Sequence, residues 1–351
     1  MICLGPRNRT PIGVDVGARC IKVAQFRRSA DGWRVEAAVS MPRPHEGAGI
    51  DRAEAGRIRQ AIRQGPFKGL AIVLAVPSEK LLTGIMELPP IESGAPIEML
   101  ARSELARMHK CDPQSFEMAC WNLPSPARAA NVSFVMGAAC PHADADSLLD
   151  TFEAERLHVE CLDIQSRAAA RACQPLLADV EGIAGILDLG WSAARLILLY
   201  KHVVVYERKL PKNGLASLVG PVAAELGTQA DQVEHRLASG SLEMGSSAPA
   251  GADGTPGRAI DQFLDGIVEE MRIPVSYLAN QYPDAAVERL LLTGGGARLP
   301  LLPAYLADAL ECDVRVVWPS TLATCPETFD KEFGSTLTVA FGLGLSEEGR
   351  P

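Results

Sequence analysis

The sequence has no basic cluster, no Cys-x-x-Cys pair and no apolar run long enough to cross a bilayer, and each absence closes off a class of protein. Without clustered lysine and arginine there is no footprint for a phosphate backbone. The formal net charge of −9 argues the same way against a nucleic-acid-binding body. The nine cysteines, Cys3 to Cys325, are scattered, several of them in apolar runs. A structural zinc site needs tighter Cys/His spacing, so buried free thiols in a reducing compartment are expected. A membrane-spanning helix needs roughly 18–20 apolar residues, and no run reaches that. The first ten residues are polar and lack the apolar core of a signal peptide. Lipidation motifs and basic amphipathic helices are missing too. A cytoplasmic protein is expected, reaching any membrane only through a partner. The fingerprints G-x-G-x-x-G and G-x-x-x-x-G-K-[ST] are absent, which disfavours Rossmann and P-loop folds.

What is present is a large apolar fraction, 47%, with 22% charged residues in a chain of 351. That is enough for about two domains with a substantial core. Apolar runs and turn residues predict a strand at Ile12–Val16, a tight turn at Gly17–Arg19, and strands at Cys20–Phe26 and Trp33–Val39. A helix over Glu54–Gln64 and a strand over Leu70–Val76 follow. A second strand-and-helix set spans Leu81 to Ile164, and an Ala-rich helix covers Ser166–Leu177. The opening then repeats: an apolar strand at Gly185–Leu189 again ends in Asp-x-Gly, followed by strands at Ala194–Tyr200 and His202–Leu210. Helices are expected at Leu215–Leu226, Ala230–Ala238, Ile260–Gln281, Leu301–Leu310 and Ser335–Leu345. Strands are expected at Arg289–Leu292 and Val314–Val317. The composition of Ser239–Gly257 predicts a mobile, dispensable loop. Two αβ halves that open alike imply duplicated domains facing a cleft.

Three glycine loops carry the chemistry. In Asp15-x-Gly17 and Asp188-x-Gly190, a hairpin tip exposes backbone N–H groups that can cradle phosphate oxygens. The strand-end aspartate can hold Mg²⁺ through water. Lys22, seven residues after Asp15, points back toward the tip and is a candidate phosphate contact. Either tip alone is an ordinary hairpin turn; two in equivalent places are far less ordinary. The third loop, Thr293-Gly294-Gly295-Gly296-Ala297, lets backbone approach a flat ligand, with a following helix N-terminus nearby.

That order of loops resembles the actin, Hsp70 and hexokinase superfamily, with two phosphate loops and an adenosine loop lining one cleft. Pro11 to Lys22, Leu88-Pro89 with Ile97 to Glu104, Phe134 to Cys140 with Leu157 to Arg167, Leu292 to Leu299, and Ala340 to Leu345 together resemble a narrower family, the type IV pilus assembly protein PilM, related to the cell-division protein FtsA. The resemblance implies an α/β, actin/hexokinase-like (ribonuclease H-like) fold of duplicated αβ domains around a nucleotide cleft, with an inserted αβ subdomain. The boundaries expected are 10–80 and 160–182 for the first domain, 81–159 for the insertion, 183–318 for the second domain, and 319–351 for the return to the first.

The resemblance also implies ATP and Mg²⁺ as cofactors, with Asp15 and Asp188 as metal sites through water. The nucleotide contacts it implies are Asp15, Gly17, Ala18, Arg19, Lys22, Asp188, Gly190, Trp191, Lys212, Gly214, Glu234, Gly294, Gly295, Gly296 and Ala297. It implies a cytoplasmic protein held at the inner membrane by the tail of a PilN-type partner, aligning the pilus platform with its motor components. No nucleic acid is expected. Four places depart from the family pattern. Ala18-Arg19-Cys20 replaces serines in the first loop, and Trp191 replaces a small residue in the second. Lys212-Asn213-Gly214 stands for Gly-Gly. In the helix that touches ribose and adenine, Glu234 is kept, and Leu237 stands in place of the lysine, with Arg236 beside it. ATP turnover, the particular pilus or secretion machine and the oligomeric state stay open. The alternatives are a small-molecule kinase of the superfamily, with Asp163 or Glu160 as base, a nucleotide-free scaffold, and the cytoplasmic domain of a type II secretion platform protein.

Overall fold

The structure, a computed structural model, describes residues 8–346 apart from 31, 45, 48, 127–130, 240–256, 284 and 300. The loop expected at Ser239–Gly257 therefore lies, over 240–256, outside the described residues.

Strands β1 (Ile12–Val16), β2 (Cys20–Ser29) and β3 (Gly32–Pro42) form an antiparallel meander. Helix α1 (Arg52–Gln64) leads to β4 (Ala71–Ala75), parallel to β1. Next, β5 (Leu82–Leu88), α2 (Ile97–His109), β6 (Phe116–Asn122) and β7 (Ser133–Pro141) build a separate antiparallel sheet ordered β5-β7-β6. Leu105 and Ala101 of α2 pack on it with Met86 and Val135. Helix α3 (His142–Glu153) returns the chain to β8 (His158–Asp163), which pairs parallel to β4 and completes the sheet β3-β2-β1-β4-β8. Helix α4 (Gln165–Cys173) follows.

The second half repeats the plan. Strands β9 (Ile183–Leu189), β10 (Ala194–Tyr200) and β11 (Val203–Leu210) form the meander. Helices α5 (Ala216–Leu226), α6 (Ala230–Ser239) and α7 (Gly257–Gln281) precede β12 (Val287–Thr293), which is parallel to β9. Helix α8 (Leu302–Leu310) and strand β13 (Asp313–Val316) complete the order β11-β10-β9-β12-β13. Short helices α9 (Pro319–Leu322), α10 (Thr328–Phe333) and α11 (Thr338–Gly344) follow.

Both five-stranded sheets thus share one strand order, and the duplicated α/β plan expected from the two Asp-x-Gly hairpins is borne out. The register repeats as well. Asp15 lies opposite Lys22 in one hairpin, and Asp188 lies opposite Arg195 in the other. The near-continuous apolar run of β9 is explained by burial on both faces, as in other covered central strands.

Helices α4 and α11 lie between the sheets. Ala168, Ala169, Val339 and Leu343 share a core with Val73 of the first sheet and Ile186, Ile197 and Leu291 of the second. Their approach is close enough that a Cβ on Gly342 would fall 1.8 Å from the Ala168 carbonyl oxygen, and one on Gly13 would fall 1.9 Å from that of Ala340. The single helix read over Ser166–Leu177 is α4 followed by a 3-10 turn at Gln174–Leu176, because Pro175 lacks the N–H that would continue the α-helix. The helix read over Ser335–Leu345 likewise divides, into a 3-10 turn at Gly334–Leu337 and α11. The short α9 and α10 carry too few residues to give a helical period, and the sequence did not reveal them.

Candidate functional site

A cavity of about 990 Å³ lies between the two halves, where both hairpin tips and the Gly294 turn meet. Each tip is fastened from behind. In the first, the Arg43 side chain donates to the Gly17 carbonyl at 2.9 Å, and its backbone N–H donates to that of Arg19 at 2.8 Å. Arg43 is in turn held by Glu54, with contacts at 2.7 and 2.9 Å; both side chains are 4% exposed. Glu54 also closes the capping box of α1 with Asp51, so helix start and loop share one residue. In the second tip, the N–H groups of Leu215 and Ala216 donate to the carbonyls of Gly190 and Trp191 at 3.1 and 2.9 Å. Gly214 makes this possible: a Cβ there would sit 2.4 Å from the Ser192 backbone.

Three charges face one another at the cleft floor. Lys22 Nζ donates to Asp15 Oδ2 at 2.9 Å in a largely buried pair. Burial pulls the Lys22 ammonium down, but the charge and hydrogen bond of Asp15, with Asp188 and Cys20 adding, outweigh it and hold the group above the ordinary lysine value. Burial, then the charge of Asp15, pushes the Asp188 carboxyl above the usual range, against the pull of Lys22 and Arg195. Arg195 pairs instead with Glu207 and donates to Ser78 Oγ at 3.1 Å.

Arg19 crosses the cleft. Its guanidinium lies 4.0 Å from the centre of the Trp191 ring and reaches Glu234 of α6 at 2.5 Å. The Trp191 indole N–H donates to Glu46 at 2.8 Å. Arg19 and Trp191, two positions where the sequence departs from the family pattern, are therefore in contact, and Arg19 also holds the retained Glu234.

Of the residues singled out from sequence, Asp15, Gly17, Ala18, Arg19, Lys22, Asp188, Gly190, Trp191, Glu234, Gly294 and Gly295 line the cavity. Gly296, Ala297, Lys212 and Gly214 do not. Gly296 and Ala297 are buried behind the turn, Lys212 is exposed, and Gly214 props the second tip. Asp163, the base a kinase would need, lies outside the cavity and accepts from Arg171 at 2.9 Å and from the Ile164 N–H at 2.7 Å. Glu160 does not line it either. Sequence reasoning missed Arg43, Glu46, Arg195 and Ser335. Only Arg195 carried a signal, the same seven-residue spacing that linked Asp15 to Lys22.

The cleft suits a phosphorylated, flat ligand. At Gly17 a Cβ would fall 2.7 Å from Lys22 Nζ and displace that flexible side chain, and Gly294 sits at φ 81° with the Leu189 carbonyl oxygen 2.6 Å from where its Cβ would be. The Ser335 hydroxyl, 1% exposed, lines the cavity with no hydrogen-bond partner among the described residues. Among the described residues no group of three or more His, Cys, Asp or Glu side chains could hold a metal directly. The eight described cysteines are free. No described helix is long and apolar enough to cross a membrane.

The family described as type IV pilus assembly protein PilM matches residues 13–348. No curated protein sequence matches the chain. Among solved structures, the chain is similar to one described as a PilM–PilN type IV pilus biogenesis complex, with a TM-score of 0.76 and 20% identity over 97% of this chain and 99% of that one. It is also similar to the ethanolamine utilization protein EutJ from Carboxydothermus hydrogenoformans, with a TM-score of 0.54 and 14% identity over 97% and 90%. These likenesses establish the actin-like fold.

Proposed function

Because the chain belongs to the family of the type IV pilus assembly protein PilM, we propose that it is an actin-like assembly protein that takes ATP with Mg²⁺ in its cleft and grips the cytoplasmic tail of a PilN-type inner-membrane protein. It works in the cytoplasm, peripheral to the inner membrane through that partner, and bears on the platform and motor of the pilus. The convergence of Asp15, Lys22, Asp188 and the Gly294 turn on one cavity carries the nucleotide part. The similar PilM–PilN complex supports the partner.

With the Gly17 N–H donating to the Cys20 carbonyl at 3.1 Å, the N–H groups that follow it and that of Gly190 would face phosphate oxygens, and Lys22 would meet their charge. Asp15 and Asp188 would hold the hydration shell of Mg²⁺, and the metal, when bound, offsets phosphate charge. Gly294 and Gly295 would lie along the adenosine, with Ser335 free to donate or accept there. Arg19 and Glu234 would leave each other for phosphate and ribose, and Trp191 would flank the ligand. Gly296, Ala297 and Gly214 would act behind this surface by shaping it. The domains are proposed as 10–80 with 160–182 and 319–351, 183–318, and the inserted 81–159.

ATP at 100 times its dissociation constant should stabilise the fold by about 2.7 kcal/mol, read as a rise in melting temperature with Mg²⁺ present. A tail peptide of the PilN-type partner should bind at micromolar strength or better in calorimetry. The Arg19–Glu234 contact favours a second reading, a scaffold whose cleft is closed without nucleotide. No rise with ATP, together with tail binding, would select it. No tail binding in either state would overturn the assembly role.

A further inference from the structure

A second cavity, about 270 Å³, lies between the inserted sheet, α4 and the second five-stranded sheet. Trp121 and Asn122 at the end of β6, Arg167, Arg171 and Gln174 on one face of α4 and its continuation, and the turn from His202 into β11 surround it. None of its residues lines the nucleotide cleft.

The Arg167 guanidinium stacks 4.8 Å from the centre of the Trp121 ring. The ring is itself fixed, because its indole N–H donates to the Val204 carbonyl at 3.0 Å. Arg167 is half-buried, and among the described residues it has neither a hydrogen-bond acceptor nor an ion-pair partner. The carboxylate close enough to act on it, Asp163, is committed to Arg171. Burial pulls the Arg167 guanidinium below its ordinary value, with Asp163 opposing and Arg171 adding to the effect. Asn122 and Gln174, both exposed, add side-chain amides to the lining. Scarcity of acid does not explain the unpaired guanidinium, since the chain has 43 acidic residues against 34 basic ones. A partly desolvated guanidinium lacking an acceptor is unfavourable, and a carboxylate would restore a charge-assisted, bidentate pair.

The surroundings say how that carboxylate is presented. Leu177, Leu199, Val203 and Val204 give the cavity an apolar wall, which suits methylene groups better than a free hydrated ion. Two sheet edges flank it: β6 is an outer strand of the inserted sheet and β11 an outer strand of the second five-stranded sheet. Outer strands offer backbone groups to an extended peptide. We infer that this cavity receives the side-chain carboxylate of a glutamate or aspartate in a docked peptide, with Arg167 as its anchor and Trp121 as the surface that holds Arg167 in place. The inference rests on the reading that the chain grips a peptide tail, and it adds the acidic residue that tail must carry.

The test uses the full chain labelled with 5-fluorotryptophan, whose four tryptophans give separable ¹⁹F resonances, that of Trp121 being assigned by its loss in Trp121→Phe. N-acetylglutamate amide should shift the Trp121 signal saturably, and the glutamine analogue should not. Arg167→Gln should abolish the shift, and Arg167→Lys should weaken it several-fold. An equal shift in Arg167→Gln, or none in the parent chain, overturns the site. Inorganic phosphate binding more tightly than the glutamate probe overturns the peptide assignment in favour of a free oxyanion. In parallel, the tail peptide of the PilN-type partner should bind Arg167→Gln at least about tenfold more weakly than the parent. Equal binding overturns this inference alone, whereas no binding to the parent overturns the tail-gripping reading itself.

Discussion

The tip at Asp15–Arg19 and the tip at Asp188–Ala193 sit in sheets of identical strand order, yet they are held from behind by different chemistry. Arg43, locked by Glu54, reaches into the first through its side chain. The second rests on the backbone of Leu215 and Ala216, with Gly214 pressed against it. The charges inside the tips differ in the same way. Lys22 turns back onto Asp15, whereas the equivalent Arg195 turns away to Glu207 and Ser78 and leaves Asp188 to share Lys22 at a distance. A duplicated backbone therefore does not duplicate its supports. One tip depends on ionic pairing and the other on steric fit, and variants can separate the two.

The largest effect is expected at Glu54. Glu54→Ala would strand Arg43 as a buried cation and open the α1 capping box, costing about 3–5 kcal/mol in urea unfolding. A loss below about 1 kcal/mol, the level of an exposed pair, would mean that the first tip does not rely on this ion pair.

Gly214→Ala comes next. Its methyl group would press on the backbone of Ser192 and Ala193, 2.4 and 2.5 Å away, and should cost about 1–3 kcal/mol. Because the fault is steric, the loss should be equal at low and high salt. A salt-dependent loss would erase the contrast between the tips.

The smallest change, at Asp188, should be a gain. Its carboxyl lies above the usual range because of burial and then the Asp15 charge. In acid, below the unfolded carboxylate value, both states hold the proton and the native residue carries no penalty. As pH rises through the folded value, the folded state must ionise a disfavoured group, and the penalty appears. Asp188→Asn should therefore stabilise the ligand-free chain near neutrality, on the order of 1 kcal/mol, and the gain should vanish toward about pH 3. A gain that persists unchanged in acid would show that charge is not its cause.

Much of this was legible because it is local. Asp15, Gly17 and Lys22 are neighbours across one hairpin, and the strand–turn–strand pattern that marks them appears twice. What the sequence concealed is contact between distant segments. Arg19 and Glu234 are 215 positions apart, and nothing in either neighbourhood announces the other. Arg43 looks like any strand-end arginine until Glu54 turns it inward. The Gly294 turn lies where the sequence expected it, and its third glycine and Ala297 are buried rather than lining the cavity, because the 3-10 turn carries them into the core. Lys212 was expected by analogy of position and is exposed.

The meeting of α11 with β1 at Gly13 has a consequence for how the molecule is made. Each five-stranded sheet draws its strands from one stretch of chain, 12–163 for the first and 183–316 for the second, so the strand pairing of both can form before α11 is made. The first sheet, though synthesised earlier, cannot bury the face of β1 until residues 338–344 arrive more than 320 positions later, a span set by Ile12 and Thr338. Long-range closure of this kind is slow and leaves apolar surface waiting. The nascent chain is thus expected to pair its strands early and to hold the facing surfaces of both sheets open until α11 seals them.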